Sequence, residues 1–271
     1  MKRLHAAGAT ARAVDDEGTP VPNPAPALPP LTLYGSLRWD VVEPLLPGAA
    51  GRVLEVGCGQ GAVGVRLAAR AAAYTGVELD ADSARTAEQR LVEAGVPGTV
   101  VQGPLDSLPA AERFDLVCAF EVIEHIDDDA AALREWAARL RPGGTLLLST
   151  PAWQRRYGPM DEAVGHFRRY DPAALVALLR DAGLTDVGLR LYGVPLGYAL
   201  EAARNQLARR RPGLREEGST ADRTARSGRL FQPSTSAQGS LVAAATWPFR
   251  VAQRAFPRTG TGLVAWGRAA S

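Results

Sequence analysis

The sequence predicts an α/β fold with a doubly wound, mostly parallel sheet. Strand-like apolar runs alternate with helical patterns from about residue 50 to residue 195. A glycine-rich turn follows the first of these runs, at the kind of position where such sheets bind ligands. Parallel strands need crossover helices and are buried on both faces, so this alternation favours a sheet covered by helices on each side.

The first strand and its turn are the most informative stretch of the chain. Residues 52–56 are mainly apolar, and Gly57, Gly59 and Gly61 follow at alternate positions. This order predicts a buried strand, a tight turn and a helix over 62–70. Glycine allows positive φ and a close ligand approach, while a helix N-terminus offers unpaired N–H donors. We therefore predict a small-molecule site at this turn.

Two classes of ligand use such a turn. The spacing Gly59-x-Gly61-x-x-Gly64 matches the dinucleotide fingerprint, which is a weak signal by itself. In the alternative interpretation, Glu55 stands two residues before Gly57, at the end of the strand. A carboxylate there repels a pyrophosphate and attracts an ammonium group, so Glu55 favours a ligand with an amino-acid end.

The predicted second strand, 74–78, ends in Glu78. An acid at this edge, about twenty residues past the glycines, can accept hydrogen bonds from both ribose hydroxyls of an adenosine ligand. Asp80 is an alternative for this role because it lies only two residues further on. It also opens the next predicted helix, 81–94, where the helix dipole favours an acid.

Further strands are predicted at 99–102, 114–120, 145–149 and 187–194. The helix after the fourth strand begins at Asp127 or Asp128, and the helix before the sixth begins at Asp171, since acids commonly cap helix N-termini. Residues 1–30 are rich in Ala, Gly and Pro and are expected to form a disordered arm.

Four motifs carry a family resemblance. They are Leu-Glu-Val-Gly-Cys-Gly-x-Gly at 54–61, Phe-Asp-Leu-Val at 114–117, Glu-Val-Ile-Glu-His at 121–125 and Leu-Arg-Pro-Gly-Gly at 140–144. In order and spacing, over roughly residues 50–195, the chain resembles the class I S-adenosylmethionine (SAM) methyltransferases. It is similar to the branch that includes the ubiquinone-biosynthesis O-methyltransferases.

The resemblance implies a seven-stranded Rossmann-like methyltransferase fold whose last strand is antiparallel, with 262–267 as the candidate. We then expect residues 31–195 and 261–271 to form the SAM-binding domain. Residues 196–260 form a helical and flexible insertion before the last strand. This insertion is either a solvated helix and loop packed on the domain, or a substrate lid or interfacial surface for an amphiphilic acceptor.

SAM is the cofactor that the resemblance implies, with the methionine end held by Glu55 and the glycine turn. Where relatives commonly have an acid for the adenine amino group, this chain has Pro104, so Asp106 or the Leu105 backbone is left for that contact. The expected cofactor-binding residues are Glu55, Gly57, Cys58, Gly59, Gly61, Glu78, Leu79, Leu105, Asp106 and Glu121.

Two histidines are the candidate catalytic bases. His125 and His166 follow the fourth and fifth strands, on the side where an acceptor would lie, whereas His5 is in the predicted arm. His166 belongs to the segment 165–170, which also contains two arginines and a tyrosine. This segment either recognises an anionic or phenolic acceptor or forms a capping and salt-bridge cluster beside the Asp171 helix.

A metal site is a second hypothesis for the same region. Glu121, Glu124 and His125 have the spacing i, i+3, i+4, so one helical turn would direct all three side chains to a common point. Such ligands suit Mg²⁺ or Mn²⁺. The trio resembles the divalent-cation site of the ubiquinone O-methyltransferases, and His166 falls where small-RNA terminal ribose methyltransferases supply a fourth ligand. In metal-free relatives Glu121 contacts the cofactor instead and His125 fixes the following helix.

Composition limits which partners, cellular compartment and function the chain is expected to have. The net charge of +2 is too small to imply nucleic acid or membrane by itself, and no apolar run reaches spanning length. Cys58 and Cys118 lie in apolar contexts that favour reduced thiols and a cytoplasmic protein. We expect O-methylation of a small-molecule or amphiphilic acceptor. The alternatives are a non-catalytic SAM-fold binding protein and an RNA ribose methyltransferase, for which only 204–215 is concentrated in basic residues.

Overall fold

A computed structural model describes residues 28–210 and 236–271 of the protein. Its seven-stranded sheet has the order β3-β2-β1-β4-β5-β7-β6. Strands β1 to β5 are mutually parallel, and β7 pairs antiparallel with both β5 and β6. The predicted doubly wound sheet with an antiparallel last strand is therefore confirmed. The strands are β1 Ala50–Val56, β2 Ala71–Glu78, β3 Thr99–Gln102, β4 Phe114–Phe120, β5 Leu140–Pro151, β6 Thr185–Gly193 and β7 Gly260–Arg268.

Helices cover both faces of the sheet. Asp80 accepts a hydrogen bond from the Ser83 N–H at 2.9 Å, and Asp128, rather than Asp127, accepts from the Ala131 N–H at 2.9 Å. Asp171 stands at the predicted cap position, but its side chain makes no capping hydrogen bond. The helices are α1 Leu33–Val42, α2 Gly64–Ala68, α3 Ala81–Glu93, α4 Asp129–Ala138, α5 Pro159–Val164, α6 Pro172–Asp181, α7 Leu196–Arg210 and α8 Ser236–Arg254.

The core lies in two layers, one on each side of the sheet. Alternate side chains of β4 point to opposite faces, so Val117 packs in one layer and Leu116 in the other. Trp136 of α4 is fully buried in the first layer and Leu37 of α1 in the second. The sheet is thus held rigidly between helices, which fixes the positions of its strand ends.

The predicted arm and insertion are described only in part. Residues 1–27 and 211–235 lie outside the described residues. Pro29 is ordered, however, and its carbonyl accepts a hydrogen bond from Arg66 at 2.7 Å. Two helices, α7 and α8, occupy the described parts of the insertion, and α8 packs against α1. In residues 28–210 and 236–271 no helix combines the length and apolar character needed to cross a bilayer.

Candidate active site

The glycine turn lies at the carboxyl edge of the sheet, between β1 and β4, where the strand order reverses. Gly57 and Gly59 have φ values of 67° and 53°, which favour glycine. A Cβ atom at Gly57 would lie 2.7 Å from Val122 Cγ2, whereas one at Gly59 would meet nothing within 4 Å. The backbone at Gly59 is therefore open to an approaching ligand.

A cavity of about 1760 Å³ begins at this turn. Most small-molecule sites enclose roughly 300–1,000 Å³, so this space is large enough for two ligands side by side. It extends from the turn past His125 and His166 to apolar side chains of α7 and α8, among them Leu200 and Leu241. A nucleoside-sized ligand at the turn would leave the histidine end of the cavity free for a second molecule.

Glu78 is held at the cavity wall by two backbone donors. The Gly59 N–H donates to its Oε2 at 2.8 Å, and the Asp80 N–H donates to its Oε1 at 2.9 Å. The Asp80 carboxylate, in contrast, caps α3. Glu78 is therefore the acid that the turn itself orients, and its remaining lone pairs are available to ribose hydroxyls.

Glu55 lies beneath the turn and is 2% exposed. Burial raises the pKa of Glu55 to about 8, although the Tyr74 hydroxyl, which donates to Oε2 at 2.6 Å, and the charge of Arg38 oppose the shift. The Arg38 guanidinium, from α1, lines the same cavity. An acid and an arginine in one pocket can receive the two charges of an amino acid. Sequence reasoning did not identify Arg38, because nothing in the local pattern of α1 indicates that it faces a ligand.

Glu121 does not join the histidines, which corrects the expected geometry. The residue has φ 58°, and the short 3₁₀ helix that follows begins only at Ile123, so one helical turn over 121–125 does not form. Its Oε1 accepts from Ser149 Oγ at 2.8 Å and lies 3.4 Å from Arg38 Nη1. The Glu121 carboxylate is therefore held between α1 and β5.

Glu124, His125 and His166 do come together. Each offers a ligand atom, and these atoms lie within 4.8 Å of one another. Glu124 is fully buried; Thr150 donates to its Oε2 at 3.0 Å, while its Oε1 has no hydrogen-bond partner. A buried oxygen without a partner is costly, so this atom marks a place where a proton donor or a cation fits. Three of the four predicted metal ligands thus form a group.

His166 is oriented by Asp161. The His166 Nδ1 atom lies 2.8 Å from Asp161 Oδ1, and Arg169 donates to both oxygens of the same carboxylate. Burial alone would raise the pKa of Asp161, but the hydrogen bonds from His166 and Arg169 outweigh it and lower that pKa. The ionised carboxylate can only accept, so the Nδ1 atom carries a hydrogen, and in the neutral ring the Nε2 atom is then the one with a lone pair.

His125 is neutral at physiological pH. Burial, reinforced by the neighbouring His166, lowers its pKa to about 3. The two imidazole rings meet edge to face with centroids 4.7 Å apart. Both histidines line the cavity, so the predicted bases share one site with the glycine turn.

Arg168, Arg169 and Tyr170 of the 165–170 segment are all bound by carboxylates. Arg168 pairs with Asp127 and Asp129. Tyr170 donates to Asp129 at 2.7 Å. Arg169 likewise pairs with Asp161 and Glu201, as the salt-bridge alternative predicts, but Arg169 and Phe167 also line the cavity together with His166.

Most of the predicted cofactor residues line the cavity, namely Glu55, Gly57, Cys58, Gly59, Glu78, Leu79, Leu105 and Glu121. Two do not. Asp106 is exposed on the 3₁₀ helix Leu105–Ser107, and its side chain lies outside the cavity wall. Gly61 contacts α3 instead, where a Cβ would lie 2.9 Å from Ala87 Cα. Tyr34, Met160 and Leu207 line the cavity without having been predicted, because they come from distant elements.

The methyltransferase domain family model matches residues 34–189, more than half of the chain. Ubiquinone biosynthesis O-methyltransferase from Xanthomonas axonopodis is 34% identical over 182 residues, which cover 60% of this chain and 75% of that protein. The Ralstonia nicotianae protein of the same name is 34% identical over 123 residues, or 45% of this chain and 52% of that protein.

Solved structures agree on the fold. YcgJ from Bacillus subtilis has a TM-score of 0.57 at 17% identity and covers 88% of this chain and 99% of its own. The N-methyltransferase NodS from Bradyrhizobium japonicum, solved with S-adenosyl-L-homocysteine, has a TM-score of 0.51 at 18% identity. The match covers 88% of this chain and 86% of NodS. The [4+2]-cyclase SpnF has the same fold, with a TM-score of 0.56 at 22% identity, and the match covers 85% of this chain and 80% of SpnF. Because SpnF is named as a cyclase, the fold alone does not fix the reaction.

The family match, together with the glycine turn and its acids, decides which class of reaction this chain has among proteins of this fold. The chain belongs to the methyltransferase domain family and is a SAM-dependent methyltransferase.

Proposed function

We propose that this enzyme transfers the SAM methyl group to a hydroxyl oxygen of a small, largely apolar acceptor with an aromatic ring, such as a quinone precursor. The observation that carries the proposal is the presence of His125 and His166 in the same cavity as the glycine turn. The names of the relatives that act in ubiquinone biosynthesis support oxygen as the target atom. The buried free thiols Cys58 and Cys118 favour a reducing, cytoplasmic location.

The cofactor residues divide by charge and polarity. Glu55 and Arg38 would receive the ammonium and carboxylate of the methionine end. Glu78 would accept from the ribose hydroxyls. Leu79 is 63% exposed and Leu105 is buried at the cavity wall, so a purine ring packed against them would cover apolar surface that is now exposed. These residues suit the methionine end, the ribose and the ring face of the purine of SAM.

The acceptor side provides a base and an apolar surface. SAM, when bound, supplies a methyl group activated by its positive sulfur. As the acceptor oxygen bonds to the methyl carbon and the carbon–sulfur bond breaks, the hydroxyl proton passes to the Nε2 atom of His166. Asp161 keeps His166 in the tautomer that can take this proton. Met160, Leu200 and Leu207 provide apolar contacts for the rest of the acceptor.

A divalent cation is a second candidate for activating the acceptor. The unpaired Glu124 Oε1 favours it, and the neutral His125 and the free Nε2 of His166 complete a three-ligand group. With two imidazoles and one carboxylate, these three ligands suit Mn²⁺ better than Mg²⁺. A cation there would lower the pKa of an acceptor hydroxyl and so assist its deprotonation.

The first prediction concerns the pH dependence of cofactor binding. Glu55, with a pKa of about 8, is mostly protonated at pH 6, and a bound ammonium group favours its ionised form. Binding must then release a proton. Affinity for S-adenosyl-L-homocysteine, measured by calorimetry, is expected to rise with pH up to about 8, by at most about tenfold per pH unit.

Glu55→Gln is the matched control for this effect. It should bind the same ligand more weakly and without the rise between pH 6 and 8, since the amide does not titrate. An equally steep rise in Glu55→Gln would show that another group, such as the ligand itself, is responsible.

The second prediction separates Glu78 from Asp80. Glu78→Ala removes the acceptor for two ribose hydroxyls and should weaken S-adenosyl-L-homocysteine binding by about ten- to a hundredfold. Asp80→Asn should bind almost normally, because asparagine also caps a helix well. Calorimetric titration of both variants measures this. The reverse order of affinities would assign the ribose to Asp80.

The third prediction tests the reaction itself. SAM with a labelled methyl group is incubated with a panel of short-chain catechols, phenols, amines and a small RNA. Label is expected on a ring oxygen, and His166→Ala should lower kcat by about 10² to 10⁴. Arg168→Ala is the control and should stay near wild-type turnover, because this arginine is in the same segment and pairs with Asp127 and Asp129 but does not itself line the cavity.

Each other outcome selects an alternative. Label on RNA would favour ribose methylation, and label on nitrogen would reject the oxygen assignment. Binding of S-adenosyl-L-homocysteine without transfer to any acceptor would favour a non-catalytic SAM-binding protein. Full turnover in His166→Ala would remove that histidine from the mechanism.

The fourth prediction concerns the metal. Calorimetric titration of chelator-treated protein with Mn²⁺ should show one site. Glu124→Gln and His125→Ala should each lose at least about tenfold in affinity, because each removes a ligand. Glu121→Gln should retain the affinity, since its carboxylate pairs with Ser149 and Arg38. If the protein does not bind Mn²⁺ and keeps full turnover in chelator, the cation hypothesis is rejected and His166 acts as the base without a metal.

A further inference from the structure

Helix α8 turns its polar side toward the protein. Thr246 is fully buried and Gln253 is 2% exposed. The Gln253 amide donates to the Leu37 carbonyl at 2.9 Å and to Asp40 Oδ2 at 3.1 Å, and its oxygen accepts from the Gly193 N–H at 3.0 Å. Every polar group of this side chain therefore has a partner in α1 or β6.

Asp40 of α1 fixes the rotation of α8 about its own axis. Its side chain is 1% exposed, and Arg250 Nε and Arg254 Nε, from α8, donate to it at 3.3 and 3.1 Å. Burial alone would raise the pKa of Asp40, but the hydrogen bonds from Arg254 and Gln253 outweigh it and lower that pKa. Rolling α8 about its axis would leave an ionised, buried carboxylate without its arginines, which is strongly unfavourable.

The opposite side of α8 is apolar and exposed. Leu241, Trp247 and Val251 are 71%, 62% and 47% exposed. At about 100° per residue these three positions fall within one arc of roughly 120°. Phe256, just beyond the helix, is 55% exposed. A helix in contact with water shows the reverse arrangement, with apolar residues facing the core.

This apolar surface is concentrated rather than scattered. Eight large apolar side chains are exposed among the described residues, and half of them are Leu241, Trp247, Val251 and Phe256. We call these four side chains the α8 apolar face. Single exposed apolar residues need no explanation, but a group on one face marks a contact surface.

The charges around the α8 apolar face are positive. Asp222 is the last acidic residue of the sequence. In the described residues from 196 onward, the one acid is Glu201, which pairs with Arg156 and Arg169. Five arginines of this region are exposed, namely Arg209, Arg210, Arg254, Arg258 and Arg268, and of these Arg254 ends α8 and Arg258 follows shortly after it. An apolar face beside exposed arginines is complementary to an anionic surface with an apolar interior.

The α8 apolar face is continuous with the wall of the active-site cavity. Leu241 belongs to the face and also lines the cavity, beside Val242 of α8 and Leu207 of α7. An apolar molecule lying against α8 would therefore meet the cavity at its Leu241 end.

We propose that α8 docks on an anionic lipid surface, with Trp247 and its apolar neighbours in the acyl boundary and the arginines at the phosphates. The cavity then receives its acceptor from the lipid. A second copy of this chain fits the surface less well. A two-fold contact would bring like arginines together, and four side chains are far fewer than the 20–30 residues a side in a stable interface.

The experiment is sedimentation of the full-length protein with vesicles. Vesicles of equal parts phosphatidylglycerol and phosphatidylcholine are expected to bind it, and pure phosphatidylcholine vesicles to bind it much more weakly. The triple variant Leu241→Ser, Trp247→Ser, Val251→Ser should lose at least about tenfold in affinity for the anionic vesicles. Val92→Ser, which alters a 75% exposed valine on α3, is the matched control and should bind like wild type.

Calorimetric binding of S-adenosyl-L-homocysteine shows whether each variant is folded, and neither this readout nor sedimentation depends on turnover. If the triple variant fails to fold, the double variant Phe256→Ser, Arg258→Glu, just beyond the helix, should also lose affinity for the anionic vesicles. The proposal is overturned if wild type does not bind anionic vesicles, if a folded variant binds them equally well, or if the apolar substitutions change only the oligomeric state measured by light scattering.

Discussion

The parallel pairing of β1 with β2 is the constraint on which the site depends. Glu55 pairs with Gly76 and Val56 with Val77, and the N–H groups of Gly57 and Cys58 both continue this pairing by donating to the Val77 carbonyl. The turn is thereby fixed to the end of β2. The next N–H, from Gly59, reaches the carboxylate of Glu78. One register therefore sets Glu78, the glycine turn and the buried Glu55 relative to one another.

The acceptor side is built differently, from ion pairs that cross between elements. Asp161 of α5 binds His166 and Arg169, and Arg169 also binds Glu201 of α7 at 2.8 Å. Because Asp161 and Arg169 are buried, these contacts are less screened than surface pairs and hold the imidazole in one orientation. The glycine-turn end of the cavity is thus ordered by backbone hydrogen bonds and the histidine end by side-chain charges.

Helix α1 connects the two halves to the insertion. Its Arg38 enters the cavity, while Asp40, two residues further, receives the arginines of α8. Helix α1 therefore contacts both the cavity and α8. In our two proposals, α8 contacts the lipid surface and packs on α1, and α1 carries Arg38, which receives the methionine end of SAM.

The sequence by itself determined the sheet and its strand ends. Strands, glycine turns and acids at strand ends are local features, and their spacing predicts the same arrangement wherever such a sheet forms. Glu55, Gly59 and Glu78 could therefore be placed at the strand ends from the pattern, while their roles toward SAM stay a prediction. The departure at Glu121 could not be predicted, because its positive φ depends on the contact with Ser149 and Arg38 rather than on its neighbours in the chain. Likewise Arg38, the partners of His166 and the outward rotation of α8 join residues far apart in sequence. Only the tertiary structure decided them, because buried charges select their partners from whatever elements packing brings within reach.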